Sequence, residues 1–375
     1  MGTRAEIIKM SRLYHALHEL HANPVVWHIG QHEELAWPFY EFFGISPELH
    51  LPLDRQKHTL GHLSALILDN LDDALNSADP SCMVVQGDTS SALMAALSAY
   101  YYQIPIAHVE AGLRTFREYE PFPEEKNREL IARLAHWHFA PTEEARNNLL
   151  AERIQAESIH VVGNTIVDAT LCGVQHLENY RPSFTRLGDD FVKRYEDLSP
   201  SHRLIVVTAH RRESWDKGIA EIAMGIRAAV EQHPDIFIVW PIHPNPIIQD
   251  AVYKIMERLS DEQLDRVLLT TPLDYPEMLQ LLKDCWLILT DSGGIQEEAI
   301  TLGTPVLVLR GTTERPEVIQ AGGGELIGAS SVNIIRWIQM LSENEDKYAS
   351  MCNRPNPFGN GDTSKLIAEL LVKRK

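Results

Sequence analysis

A chain of 375 residues is too long for one typical hydrophobic core and suits two domains of fewer than about 200 residues each. Apolar residues at 44% and charged residues at 23% exclude a disordered or fibrous chain. Acidic groups outnumber basic ones by 52 to 34, a formal charge of −18 that repels nucleic acid and anionic lipid, so an anionic substrate needs a local cluster of Arg, Lys and backbone N–H groups.

Along the chain, short apolar runs alternate with helical stretches. Candidate strands in the first half are residues 24–29, 82–85, 104–108, 137–140 and 158–162, with amphipathic segments such as 60–75 and 124–135 between them. After a polar region at 181–202 the alternation resumes, with strands at 204–208, 236–240, 267–269, 286–289 and 305–309. Residues 362–373 read as a closing helix, with Asp362, Thr363 or Ser364 available as its N-cap. Strand–helix alternation in two halves predicts an α/β fold of two Rossmann-like, doubly wound parallel sheets. The default ligand site of such a pair is a cleft where strand C-termini and helix N-termini meet.

Several signals are missing. No G-x-G-x-x-G follows a strand, there is no G-x-x-x-x-G-K-[ST], and Gly322-Gly323-Gly324 has the wrong spacing for either, so neither a nicotinamide cofactor nor P-loop chemistry is indicated. No apolar stretch approaches the roughly 18 residues that span a bilayer, and the mixed, charged residues 1–10 do not read as a signal peptide. Cys82, Cys172, Cys285 and Cys352 are widely separated and fit neither a zinc site nor a disulfide framework, which points to a reducing cytoplasm.

Three clusters suit chemistry on an anionic substrate. In Asp291-Ser292-Gly293-Gly294, small residues at a strand-to-helix turn let backbone N–H groups approach a phosphate, and Glu298, about one turn on, suits two vicinal ribose hydroxyls. Thr312-Thr313-Glu314-Arg315-Pro316-Glu317 makes a second helix start, with Pro in the first turn. The second cluster is His210, Arg211 and Arg212 directly after strand 204–208, suited to a polyanionic leaving group; His243 follows the next strand. The third is acidic. Asp88 and Glu110 follow successive strands and Glu124 opens a helix, so their carboxylates would share one sheet end, repel one another and form acid–base partners. Taken singly, each of these is equally a cap, a turn or a solvated charge. Arg4 and Lys9 stand near a further helix start, or in a frayed terminus.

These segments, in this order, resemble the non-hydrolysing UDP-N-acetylglucosamine 2-epimerases. The matching runs are residues 2–9, Gly30-Gln31-His32, Gly87-Asp88-Thr89, 108–115, 121–128, 138–143, Gly163-Asn164-Thr165, 208–213, 290–298 and 312–317. The resemblance implies the glycosyltransferase B architecture: a first domain of residues 1–163 completed by a returning C-terminal helix at 357–375, and a UDP-binding domain of residues 164–356. It also implies a homodimer and a UDP-sugar substrate, with no cofactor, no metal, no nucleic acid and no membrane. The implied reaction breaks the C1–O bond to UDP, removes the C2 proton to give a 2-acetamidoglucal, and re-adds UDP and a proton on the other face. By the same resemblance Asp88, Glu110 and Glu124 are the acid–base carboxylates and His210 serves the leaving β-phosphate. Arg4 and Lys9 are a basic pair, Ser292, Gly293 and Gly294 bind the pyrophosphate, and Glu298 binds the ribose. Arg211, His243 and Arg315 complete the substrate-binding set.

The sequence departs from the family pattern in three places. The strand that normally precedes Gly-Thr-Arg is missing before Gly2, so the first sheet is expected to be a strand short or the protein to start upstream of Met1. Of the groups that hold a second nucleotide sugar in regulated bacterial members, Gln31 is kept but Glu34 and Leu66 stand at the other two positions, so substrate activation is not expected. Residues 320–328 carry three consecutive glycines where about one is expected. The nearest alternatives are a hydrolysing epimerase that releases N-acetylmannosamine, an epimerase of a modified UDP-sugar, a glycosyltransferase on the same fold, and a nucleotide-sugar binder without turnover.

Overall fold

The computed structural model describes residues 1–180, 182–184, 187–198, 201–209 and 217–373, with the backbone alone for residues 32–35. The chain divides into two compact units, Met1–Cys172 with Phe358–Lys375, and Gly173–Pro357. No described helix is long and apolar enough to cross a membrane.

The strands of the first unit are β1 (Trp27–Ile29), β2 (Leu49–Leu51), β3 (Met83–Gln86), β4 (Ile106–Val109), β5 (Trp137–Ala140) and β6 (Ile159–Val161). All pair in parallel, but in two sheets, β1-β2 and β3-β4-β5-β6. A cavity of about 670 Å³ is lined by residues of both β1 and β3, by Met10 and Leu13 of the helix Arg4–Glu19, and by Leu371 and Val372. Met1 also bonds to β1, its N donating to Trp27 O and its O accepting from Ile29 N, each at 2.8 Å.

The closing helix, Thr363–Val372, packs on the helix Arg4–Glu19, and its Ile367 and Ala368 share a core with Met10, Leu13, Val109 and Phe139. Its N-cap is one of the three residues expected. Asp362 holds the N-cap position without a side-chain bond; the Asp168 carboxylate accepts from Ser364 N at 2.7 Å instead. Asp168 lies in the helix Thr165–Asn179, so that helix's first half is tied to the first unit. The division therefore falls after Cys172, inside the helix, and not at the expected 163/164.

Gly163 explains the fit of this returning segment. It sits at φ +92°, and a Cβ there would lie 2.5 Å from Thr363 Oγ1 and 2.6 Å from Phe358 O. Gly163→Ala is expected to destabilise the protein by about 2–4 kcal/mol, from backbone strain plus the clash. Gly44→Ala, at φ +62° with nothing within 4 Å, carries the strain alone and should cost less. Urea midpoints of the two variants check this; equal losses would mean that the segment yields freely.

The second unit carries β7 (Arg203–Thr208), β8 (Ile236–Pro241), β9 (Val267–Thr270), β10 (Leu287–Thr290), β11 (Val306–Val308) and β12 (Gly324–Leu326). They form one parallel sheet in the order β12-β11-β10-β7-β8-β9, the doubly wound pattern whose direction reverses between β7 and β10. Both faces are covered, and Ile205, Val207, Ile238, Trp240, Leu287 and Leu289 are fully buried in its core. Of the twelve strands among the described residues, only β2 and β12 escaped the sequence reading.

Candidate active site

In the first unit the functional residues are set by two strand ends. Gly87, at φ +70°, turns the chain out of β3; its N donates to Val109 O at 3.0 Å and its O accepts from His108 Nε2 at 2.7 Å. Thr89 then caps the helix Ser90–Tyr101 by accepting from Ala92 N, which leaves Asp88 at the tip of the turn. Its partner is Arg128. Nε donates to Asp88 Oδ2 at 2.8 Å, and Nη2 is in ion-pair contact with the same oxygen at 2.7 Å. Asn127 Nδ2 holds the Asp88 carbonyl at 2.7 Å.

Glu110 follows β4 with a left-handed backbone, φ +65°, an uncommon conformation for a residue with a Cβ and one that concentrates at functional sites. Its Oε2 accepts from Lys9 Nζ at 2.6 Å and Gln86 Nε2 at 2.5 Å, and all three residues are buried. Glu124 is the first residue of the helix Glu124–Leu134 and is half-buried. Arg4 is exposed at the start of the first helix.

This corrects the expected electrostatics. Asp88 and Glu110 are not left to repel each other: Arg128 holds one and Lys9 the other, so each carboxylate has its own buried cation. Lys9, expected to face substrate, donates to Glu110. Arg128, Glu125 and Gln86 were not foreseen; only Glu125 sits beside a residue that was.

In the second unit β7 and β10 are neighbours at the sheet's switch point, beside which ligands of doubly wound sheets bind. Thr208 and Thr290 join the two strand ends through a 2.6 Å hydroxyl pair. His210 and Arg211 follow β7 in sequence and lie outside the described residues. After β10, Ser292 is the N-cap of the helix Gly293–Leu302, with Ser292 N donating to Thr290 Oγ1 at 3.0 Å and no side-chain cap bond. A Cβ on Gly294 would meet nothing within 4 Å. Ser292, Gly293 and Gly294 thus present the start of a ten-residue helix, a geometry suited to phosphate. Glu298 is buried in its second turn.

The expected second helix start is a five-residue helix, Pro316–Gln320. Arg315, expected to bind substrate, is buried and donates through Nε to Glu297 and through Nη1 to Glu314 O. Arg310 pairs with Glu314 at 3.0 Å and Thr313 with Gln296 at 2.7 Å, so with the Arg315–Glu297 pair this segment is bolted to the helix Gly293–Leu302. His243 follows β8 half-buried; Asn245 N donates to its Nδ1 at 3.1 Å, which places the proton of the neutral ring on Nε2. Among the described residues no three His, Cys, Asp or Glu side chains group to hold a metal.

The sequence profile described as UDP-N-acetylglucosamine 2-epimerase matches residues 15–372. A UDP-N-acetylglucosamine 2-epimerase of Escherichia coli K12 is 39% identical over all of this chain and 97% of its own, and one of Neisseria meningitidis serogroup A is 37% identical over 100% and 98%. Among solved structures, the N. meningitidis enzyme bound to UDP-GlcNAc superposes with a TM-score of 0.88 at 37% identity, covering 99% of this chain and 98% of that one. The Methanocaldococcus jannaschii enzyme in complex with UDP-GlcNAc and UDP gives 0.81 at 34%, over 99% and 98%. These neighbours have the glycosyltransferase B fold, to which two α/β units with parallel sheets conform, although only the second shows the doubly wound order. With its acidic strand ends, its phosphate-type helix start and likeness over its full length, the chain belongs to the UDP-N-acetylglucosamine 2-epimerase family.

Proposed function

We propose that this protein interconverts UDP-N-acetylglucosamine and UDP-N-acetylmannosamine by eliminating UDP and adding it back, without releasing free sugar. The observation that carries this reading is the pair of carboxylates, Asp88 and Glu110, on neighbouring strand ends, each with its own buried cation. The C2 proton of an N-acetyl hexosamine is not acidic. As the C1–O bond breaks, its electron pair leaves with UDP and C1 gains oxocarbenium character. A carboxylate then takes the C2 proton and the C–H pair forms the C1=C2 bond of a 2-acetamidoglucal. Return of a proton to the other face of C2, with attack of the β-phosphate oxygen on C1, gives the manno epimer. Two anionic bases suit this exchange, one for each face, and Glu124 completes the set. The helix start at Ser292–Gly294 would hold the pyrophosphate, Glu298 the ribose hydroxyls, and His210 the leaving phosphate. No cofactor enters the electron balance. The product, an activated manno-type amino sugar, suits surface polysaccharide synthesis.

Proton NMR of UDP-N-acetylglucosamine with the protein in D2O tests the reading. Deuterium at C2 with a UDP-manno product supports it; free N-acetylmannosamine would make the protein a hydrolase, and an unchanged spectrum would leave only binding. Glu298→Ala is expected to weaken UDP binding by about tenfold or more, because hydrogen bonds to a charged acceptor are lost, while turnover at saturation falls less. Calorimetry with UDP checks this, and an unchanged Kd would remove Glu298 from the ribose role.

A further inference from the structure

We propose that Arg128 is a positioning residue that holds Asp88 with one carboxylate oxygen fixed and the other presented to substrate, and that Glu125 aims it. The inference rests on the reading of Asp88 as an acid–base group. A purely structural Arg–Asp pair is commonly a fork on a fork, two parallel bonds to two oxygens. Here one hydrogen bond and one ion-pair contact from the guanidinium converge on Oδ2, and no described residue bonds Oδ1. The Asp88 side chain keeps 24% of its exposure while that of Arg128 keeps 7%. The clamp is buried and the carboxylate is reachable.

The geometry of Arg128 is itself set. Its remaining branch, Nη1, donates to Glu125 Oε2 at 3.0 Å, one helical turn earlier on the same face. The other Glu125 oxygen accepts from Thr115 N and Phe116 N, both at 2.9 Å, so Glu125 cannot swing away without freeing two backbone donors. Asn127, on the same helix, holds the Asp88 carbonyl. One helix thus grips Asp88 at both its backbone and its side chain, and carries Glu124 as its first residue. The relative placement of two proposed acid–base groups is therefore decided by a single rigid element. Lysine cannot replace Arg128, because one ammonium lacks the planar fork that serves Asp88 and Glu125 together.

The test is steady-state epimerisation by Arg128→Lys, Arg128→Met and Glu125→Gln, with UDP affinity measured beside it. All three are expected to lower kcat by ~10- to 100-fold, Met most, with KM and the UDP Kd within about threefold, since misplacing a reacting group by an ångström costs rate rather than binding. The decisive comparison is in an Asp88→Asn background, where Arg128→Met should cost almost nothing further because its target is already gone. Equal fold losses in both backgrounds, or a rise in KM with kcat unchanged, would overturn the proposal. If Arg128→Met does not fold, Arg128→Lys in the same two backgrounds decides. Failure of the wild-type protein to epimerise would instead overturn the functional reading, and the two failures are distinct.

Discussion

Glu110→Gln is expected to lower epimerase turnover by about 100-fold or more while UDP binding stays within about threefold, the usual loss when a general acid–base group is removed. The substitution tests chemistry rather than folding because the site accommodates the amide. Glu110 Oε2 accepts from Lys9 Nζ and Gln86 Nε2, and an amide oxygen can turn to accept both. The left-handed backbone at Glu110 places the same demand on Gln, which has the same branching at Cβ. What the amide cannot do is take a proton from C2. The loss should also appear in single-turnover deuterium exchange at C2, which isolates the proton transfer from product release. A variant that keeps exchange but loses UDP affinity would show Glu110 to be a binding group, and the acid–base role would pass to Asp88 and Glu124.

The sequence exposed the framework more fully than the electrostatics. Ten strands were legible because each is an apolar run between helical segments, and a parallel sheet buried on both faces demands such runs. β2 has only three residues, Leu49–Leu51, with His50 exposed at its centre, too little for a periodic signal. β12, Gly324–Leu326, hides within the glycine run that looked anomalous. The structure gives the reason: a Cβ on Gly324 would lie 2.8 Å from Val306 Cγ1, and one on Gly323 would lie 2.9 Å from Ile300 Cδ1. These glycines admit an edge strand close to its neighbours. At the site, Asp88, Glu110 and Lys9 were legible as residue types after strands or at a helix start, but their partners were not. Arg128 reaches Asp88 across 40 positions and Gln86 reaches Glu110 across 24, and no local pattern encodes such pairing. Glu124 and Glu125 stand four and three positions before Arg128, both within helical reach of it, so spacing alone does not say that Glu125 takes its Nη1.

Stability is expected to fall as the pH drops below 6.5, with His108 as the main single cause. The ring is fully buried beneath the Gly87 turn, with Nε2 donating to Gly87 O and no hydrogen-bond partner for Nδ1. A second proton would be buried without an acceptor, and desolvation pushes the group down to about 3 from 6.5, against the smaller upward pull of the Gly87 bond. The folded-state pKa is depressed, so the unfolded chain binds the proton first. The contribution is complete above pH 6.5 and is lost steadily as pH falls towards 3, reaching about 2–3 kcal/mol by pH 4.5 at ~1.4 kcal/mol per unit. His138, lowered by burial, acts in the same direction, whereas Asp168, raised by burial, partly offsets both. Urea unfolding of the wild type and His108→Gln at pH 7.5, 6 and 5 separates these terms. Gln retains an N–H donor but does not titrate, so the variant should be less stable at pH 7.5 and lose less between pH 7.5 and 5. Equal slopes for the two proteins would show that His108 is not the sensor. Because the same hydrogen bond holds the turn that carries Asp88, activity should decline with this equilibrium as the solution is acidified.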